Sequence, residues 1–254
     1  MCIRDSSLPQ RGVEGLTETI PAVFRLMTNK EVSLPSFSVT SALPSVMNGG
    51  KDFSVWSKRD DLLYQTLRAP VEAVLGRDGV GLADCAIAES KFEKGENITG
   101  RVLTIIPRVS EIRQRGTPDM EFAINGLLTR SLLAAGQSED AYRTIESLRE
   151  KFAEEGRERF LPNMDAMLVR ISLHTGDLDY ADTWYLEKAP RDPMRVNVMK
   201  RYQYLTQAMV ELADGKPGAS MLTLSPLEDY VRSCGRHIDC LLYTSPSPRD
   251  YAAS

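Results

Sequence analysis

The chain has 254 residues, of which 26% are charged, and its formal net charge is −4. This balance argues against a nucleic-acid-binding surface, which usually carries a basic stripe, and no apolar run approaches the roughly 18 residues that a membrane-crossing helix needs. With only two histidines, a Ser-His-Asp or Cys-His arrangement is hard to build. We therefore expect a soluble cytoplasmic protein that is not an enzyme.

The two ends of the chain look like translations of the two strands of one inverted repeat. Residues 240–245 can be encoded by a sequence whose opposite strand encodes Met1 to Asp5, and both resemble read-through of a sequencing-library adapter. We therefore expect residues 1–6 and 240–254 to be adapter-derived, the latter disordered, and exclude them from the fold. The spacing of Cys234, His237 and Cys240 is that of metal ligands, but Cys240 falls in this tail, so no metal site is expected.

Residues 7–57 are predicted to form a short amphipathic helix followed by an extended connector. The apolar residues recur at helical spacing over 13–27, and the composition then shifts to Pro, Ser, Thr and Gly up to Gly50. Gly50 and Lys51 resemble part of a phosphate loop, but the positions that require Gly and Ser or Thr hold Ser45 and Asp52. We expect no cofactor in this chain.

An internal repeat organises residues 58–239. Turn glycines recur at steps of 41, 40 and 39 residues, and a second series lies between them. The first series is Gly95, Gly136, Gly176 and Gly215, and the second is Gly76, Gly116, Gly156 and Gly235. Apolar residues recur at helical spacing within each window. A period of about 40 residues with two helix-length halves is typical of α-hairpin repeats.

One unit, residues 117–156, shows the physical logic. Pro118 suits a first helical position, Gly136 suits the left-handed end of that helix, and Ser138 begins a return helix. The return helix carries one apolar stripe, formed by Ala141, Ile145, Leu148 and Phe152. The sequence predicts an all-α fold, a tetratricopeptide-like α-hairpin superhelix (solenoid). Pro70 is expected to bend or divide its helix, and Pro107 to kink or shorten its helix.

A superhelix of this kind presents a concave face that binds ligands. Arg130 and Arg170 each stand six residues before a turn glycine, in a column that begins with Glu89. Candidate ligand-binding residues on this face are Arg130, Arg170, Arg201, Tyr202 and Tyr204. Together they predict part of an anion or polar-ligand groove. The alternative is that the arginines are solvated and the tyrosines are half-buried packing residues.

Four stretches resemble the region behind the ATPase module in LuxR-type transcription regulators of the maltose-activator kind. They are LPSFS at 34–38, PSVMNGGKDFSVW at 44–56, VLGRDGVGLAD at 74–84 and RYQYLT at 201–206. The resemblance implies a parent protein with an ATPase, this helical sensor and a helix-turn-helix. It implies an unknown small-molecule or protein effector and ATP-dependent self-association, with ATP and DNA contacts in the parent only.

Two other interpretations remain open. The chain is also consistent with a free-standing helical-repeat scaffold that binds other proteins, or with the helical accessory part of an enzyme. No membrane contact and no direct nucleic-acid contact are expected from this chain in any of the three cases.

Overall fold

The computed structural model describes residues 58–95, 98–192 and 200–234, and all regular structure in these ranges is helical. The α-helices are α1 (Lys58–Leu75), α2 (Leu82–Glu93), α3 (Ile98–Arg115), α4 (Pro118–Ala134), α5 (Ser138–Glu154), α6 (Leu161–Thr175), α7 (Leu178–Glu187), α8 (Arg201–Ala213) and α9 (Pro217–Cys234). The predicted all-α class is confirmed for these residues. The predicted N-terminal helix and connector, both adapter-like ends and His237 lie outside them.

The helices pack mainly on their neighbours in the chain. Each helix contacts the next one, and α2, α4, α6 and α8 also contact one another in that order. Within the described ranges, every appreciable contact between α-helices joins helices that are one or two apart. We call α2, α4, α6 and α8 the even layer. No helix of the described part is long and apolar enough to cross a membrane.

The helices of the even layer differ from the helices between them in how much of their surface is buried. In α5 only Ala141, Ile145, Leu148 and Phe152 are buried, which is the stripe that the sequence predicts. In α4, by contrast, every residue from Met120 to Thr129 is buried. An even-layer helix is covered on several sides because it contacts both its hairpin partner and its counterparts in the layer.

The predicted turn glycines end most of the helices. Gly136 has a φ of +75°, and the N–H of Gln137 donates to the carbonyl of Leu132 at 2.9 Å. This is the hydrogen bond of a left-handed C-terminal cap. Gly116 differs, because its φ is not in the left-handed region and a Cβ there would meet the carbonyl oxygen of Ile112 at 2.8 Å. Glycine is needed at Gly116 for space.

Both internal prolines lie inside continuous helices. Helix α1 contains Pro70 and α3 contains Pro107, and each helix is 18 residues long. The prediction that these prolines divide or shorten their helices is therefore wrong. Both prolines are on the exposed side of their helix, so water can satisfy the carbonyl that loses its backbone donor.

Positions about one period apart touch each other. Arg159 pairs with Asp119 at 2.7 Å, and the Gln203 amide donates to Asn163 Oδ1 at 3.1 Å; each pair is separated by 40 residues. The even layer also buries small side chains at 40-residue steps, namely Ala86, Gly126, Ala166 and Thr206. Small residues allow neighbouring helices to approach closely.

A pair of alanine substitutions tests the role of the turn glycines. Gly136→Ala is expected to lower the free energy of unfolding by about 1 kcal/mol, because an L side chain is strained in the left-handed region. Gly218→Ala, near the start of α9, is expected to raise it by up to about 1 kcal/mol, because alanine is the better helix former. Urea denaturation measures both. Equal effects of the same sign would contradict this assignment.

Candidate functional site

All five residues that the sequence nominates as ligand contacts lie on the even layer. Arg130 is on α4 and Arg170 on α6, while Arg201, Tyr202 and Tyr204 are in the first turn of α8. The structure distributes them between two different environments. Arg130 and Arg170 are only partly buried, whereas Arg201, Tyr202 and Tyr204 on α8 are buried.

Arg130 connects α4 to α2. Its Nη2 donates to Glu89 Oε2 at 2.6 Å, and its guanidinium carbon lies 4.6 Å from the centroid of the Phe92 ring. The side chains of Arg130 and Glu89 are only 13% and 3% exposed. Burial alone lowers the pKa of Arg130, but the Glu89 carboxylate raises it overall. The guanidinium therefore remains charged and fixed between the two helices.

Two polar atoms beside this ion pair lack partners. Arg130 Nε and the hydroxyl oxygen of Thr129 are buried and have no hydrogen-bond partner in the described part of the chain. An unpaired buried donor is costly. These atoms leave unused hydrogen-bonding capacity beside Arg130.

Arg170 connects α6 to α8 in a different way. Its guanidinium carbon lies 3.8 Å from the centroid of the Tyr202 ring, and its Nε donates to Thr206 Oγ1 at 2.8 Å. Tyr202 also makes a smaller contribution to the raised pKa of Arg130. We call Glu89, Arg130, Arg170, Tyr202 and Thr206 the Tyr202 cluster.

Arg201 and Tyr204, like Tyr202, are almost completely buried. They are 2% and 1% exposed, and the Tyr204 hydroxyl donates to the carbonyl of Asp192. Burial raises the pKa of Tyr204, with a further contribution from Asp192. The hydroxyl of Tyr204 thus joins the start of α8 to Asp192.

A second polar cluster lies near the end of the even layer and was not nominated by the sequence. Glu211 is 2% exposed, and its Oε1 accepts hydrogen bonds from Tyr185 at 3.1 Å, Gln207 at 3.0 Å and Thr223 at 3.2 Å. Its Oε2 has no hydrogen-bond partner among the described residues. The partners come from three helices, so no local pattern in the sequence indicates this cluster.

The thiol of Cys85 is in unreactive surroundings. Cys85 is buried, and burial raises the pKa of its thiol, with smaller contributions from Asp84 and Glu89 that Arg108 opposes. The thiol is therefore protonated at neutral pH. Across residues 58–95, 98–192 and 200–234, no group of three or more His, Cys, Asp and Glu side chains is arranged to hold a metal ion.

The chain matches no protein-family model, no curated protein and no solved structure. Inferences about its function therefore depend on its sequence and on the arrangement of its helices and polar clusters.

Removal of one charge tests the Arg130–Glu89 pair. Glu89→Gln is expected to lower the free energy of unfolding by about 3 kcal/mol, because it leaves a buried guanidinium without its counter-ion. The matched control is Glu139→Gln, which removes an ion pair with Arg143 whose side chains are 71% and 70% exposed. The control is expected to change stability little. Similar effects of the two substitutions in thermal or urea denaturation would show that the buried pair is screened.

Proposed function

We propose that residues 58–234 form a tetratricopeptide-like superhelix with a period of about 40 residues. Three observations support this architecture. Contacts join helices one or two apart in the chain, side chains one period apart touch, and left-handed glycine caps recur at the period. In such an array each hairpin depends mainly on its neighbours. The free energy of unfolding is then approximately a sum of the stabilities of single hairpins and of the interfaces between neighbouring hairpins.

Native-state hydrogen exchange tests this architecture. Leu227 in α9 is fully buried, and Leu227→Ala is expected to cost about 2–5 kcal/mol locally. Amide exchange should then accelerate by more than about tenfold in α8 and α9, while α2 to α4 keep their protection. Met221→Ala on the same helix removes a side chain that is 72% exposed and should change neither region. Uniform acceleration after Leu227→Ala would contradict the superhelix.

We further propose that this superhelix is the effector-sensing and oligomerisation region of a LuxR-type transcription regulator. The observation that carries the proposal is the Tyr202 cluster, in which Arg170 lies over the Tyr202 ring and Arg130 pairs with Glu89 on the same layer. The resembling stretch at 201–206 supplies Tyr202 and Thr206 to it. The residues that carry the resemblance therefore also build the cluster.

The geometry suggests how an effector would act on this cluster. An effector with a carboxylate or phosphate group competes with Glu89 for Arg130, because both anions need the same guanidinium donors. The exchange would replace a contact between α2 and α4 by a contact between α4 and the effector. Binding is then coupled to the relative position of two even-layer helices, which a regulator can transmit to its other domains.

A free-standing protein-binding scaffold is the second candidate. The observation that favours it is the set of exposed apolar side chains on the last three described helices, with exposures of 42–76%. They are Leu178, Leu186, Leu212, Met221 and Leu222. Apolar surface of this kind is typical of contacts with other proteins.

Sequencing the source genome across residues 6/7 and 239/240 distinguishes the two candidates. For the regulator, the reading frame should continue upstream into an ATPase module with the pattern G-x-x-x-x-G-K-S/T and downstream into a helix-turn-helix. For the scaffold, a native stop should follow shortly after residue 239, with no ATPase upstream. The second result would contradict the regulator proposal.

A further inference from the structure

A pocket lies between the N-terminal ends of α5 and α7 and the C-terminal end of α6. Its volume is about 360 Å³, and it uses no residue of the Tyr202 cluster. The lining combines the rings of Tyr142 and Tyr180 with the aliphatic side chains of Leu168 and Ile171. The two tyrosines are 44% and 39% exposed, so their rings are accessible from solvent. The pocket is open, and polar side chains, among them Ser138, Ser172 and Thr175, complete its mixed lining.

The charged groups on the pocket wall are all acidic. Glu139 and Asp177 line it, and its lining includes no Lys, Arg or His. Asp177 accepts a hydrogen bond from the backbone N–H of Tyr180 at 3.3 Å, which fixes the start of α7. Glu139 pairs with Arg143, whose side chain is 70% exposed. The solvent-facing wall therefore carries two carboxylates, one of which is paired with an exposed arginine.

Further carboxylates affect Tyr180 electrostatically. Burial raises the pKa of Tyr180 to about 12, and the carboxylates of Asp165 and Glu146 add to the rise, against an opposing effect of Arg149. The two neighbouring cations are both held by Asp165, with Arg149 Nε at 2.6 Å and Lys188 Nζ at 2.9 Å. Glu146 Oε2 is buried and has no hydrogen-bond partner in the described ranges. Glu146 thus retains an unpaired acceptor oxygen.

We propose that this pocket binds a small organic cation, such as an alkylammonium group with an apolar body. The two exposed tyrosine rings attract a cation through their quadrupoles, and the Glu139 and Asp177 carboxylates of the pocket lining add electrostatic attraction. The aliphatic side chains accommodate the apolar body of the ligand. The volume is at the low end of the range for small-molecule sites. The proposal is independent of the regulator function, because it uses different residues.

Titration calorimetry on the full chain tests the charge requirement. The probes are choline and 3,3-dimethylbutan-1-ol, which has the same shape without the charge. Choline is expected to bind at least about tenfold more tightly than the neutral alcohol, and tetramethylammonium is expected to compete with it. Equal affinity for the two probes, or no choline binding, would overturn the proposal.

Substitutions then test the location of the site. Tyr142→Leu and Tyr180→Leu are each expected to weaken choline binding by about tenfold, whereas Tyr142→Phe and Tyr180→Phe keep the ring and most of the affinity. Leu186→Ala, at a position on α7 that is 69% exposed and outside the pocket, is the control and should bind as the parent chain does. Choline affinity that is unchanged in the leucine variants would place the cation elsewhere and overturn the assignment.

A charge variant keeps the proposal testable if thermal melting shows that the leucine variants do not fold. Glu139→Gln, on the pocket lining, retains the shape of the side chain and removes its charge. It is expected to weaken choline binding severalfold and to leave binding of the neutral alcohol unchanged. A parallel loss for both probes would indicate a change of pocket shape and would count against the cation proposal.

Discussion

The structure depends on one constraint, which is that an even-layer helix is covered on several sides. Helix α4 buries a continuous run of residues from Met120 to Thr129, whereas α5 buries a single stripe. A helix that is covered in this way has little room for unpaired charge. The positions of the buried charged residues therefore follow from the packing of the even layer.

Buried carboxylates of the even layer receive their counter-ions from neighbouring helices. Lys151 of α5 reaches Glu121 at 2.7 Å, just as Arg149 of the same helix reaches Asp165 on the other side. Glu211 is bound instead by neutral donors. Buried ion pairs add little net stability but cost much when one partner is lost. They consequently favour one relative position of the helices over others.

Features that depend on local sequence could be predicted, and features that depend on distant partners could not. The cap at Gly136 and the stripe of α5 follow from spacing within one helix. The continuous helix across Pro107 depends on which side of it faces solvent. The partners of Arg130 and Arg170 are 41 and 36 residues away, in other helices. Sequence spacing placed these arginines on one layer without indicating what they contact.

The recurrence of equivalent caps has a consequence for how the chain can change in length. Gly136 and Gly176 end α4 and α6 with the same left-handed turn, and they are 40 residues apart. Deleting the 40 residues 137–176 would join α4 to α7 through the same kind of turn that already joins α6 to α7. A deletion of a few residues inside a helix would instead rotate the rest of that helix off its apolar stripe. The chain is therefore expected to accept changes in length more readily in whole hairpins.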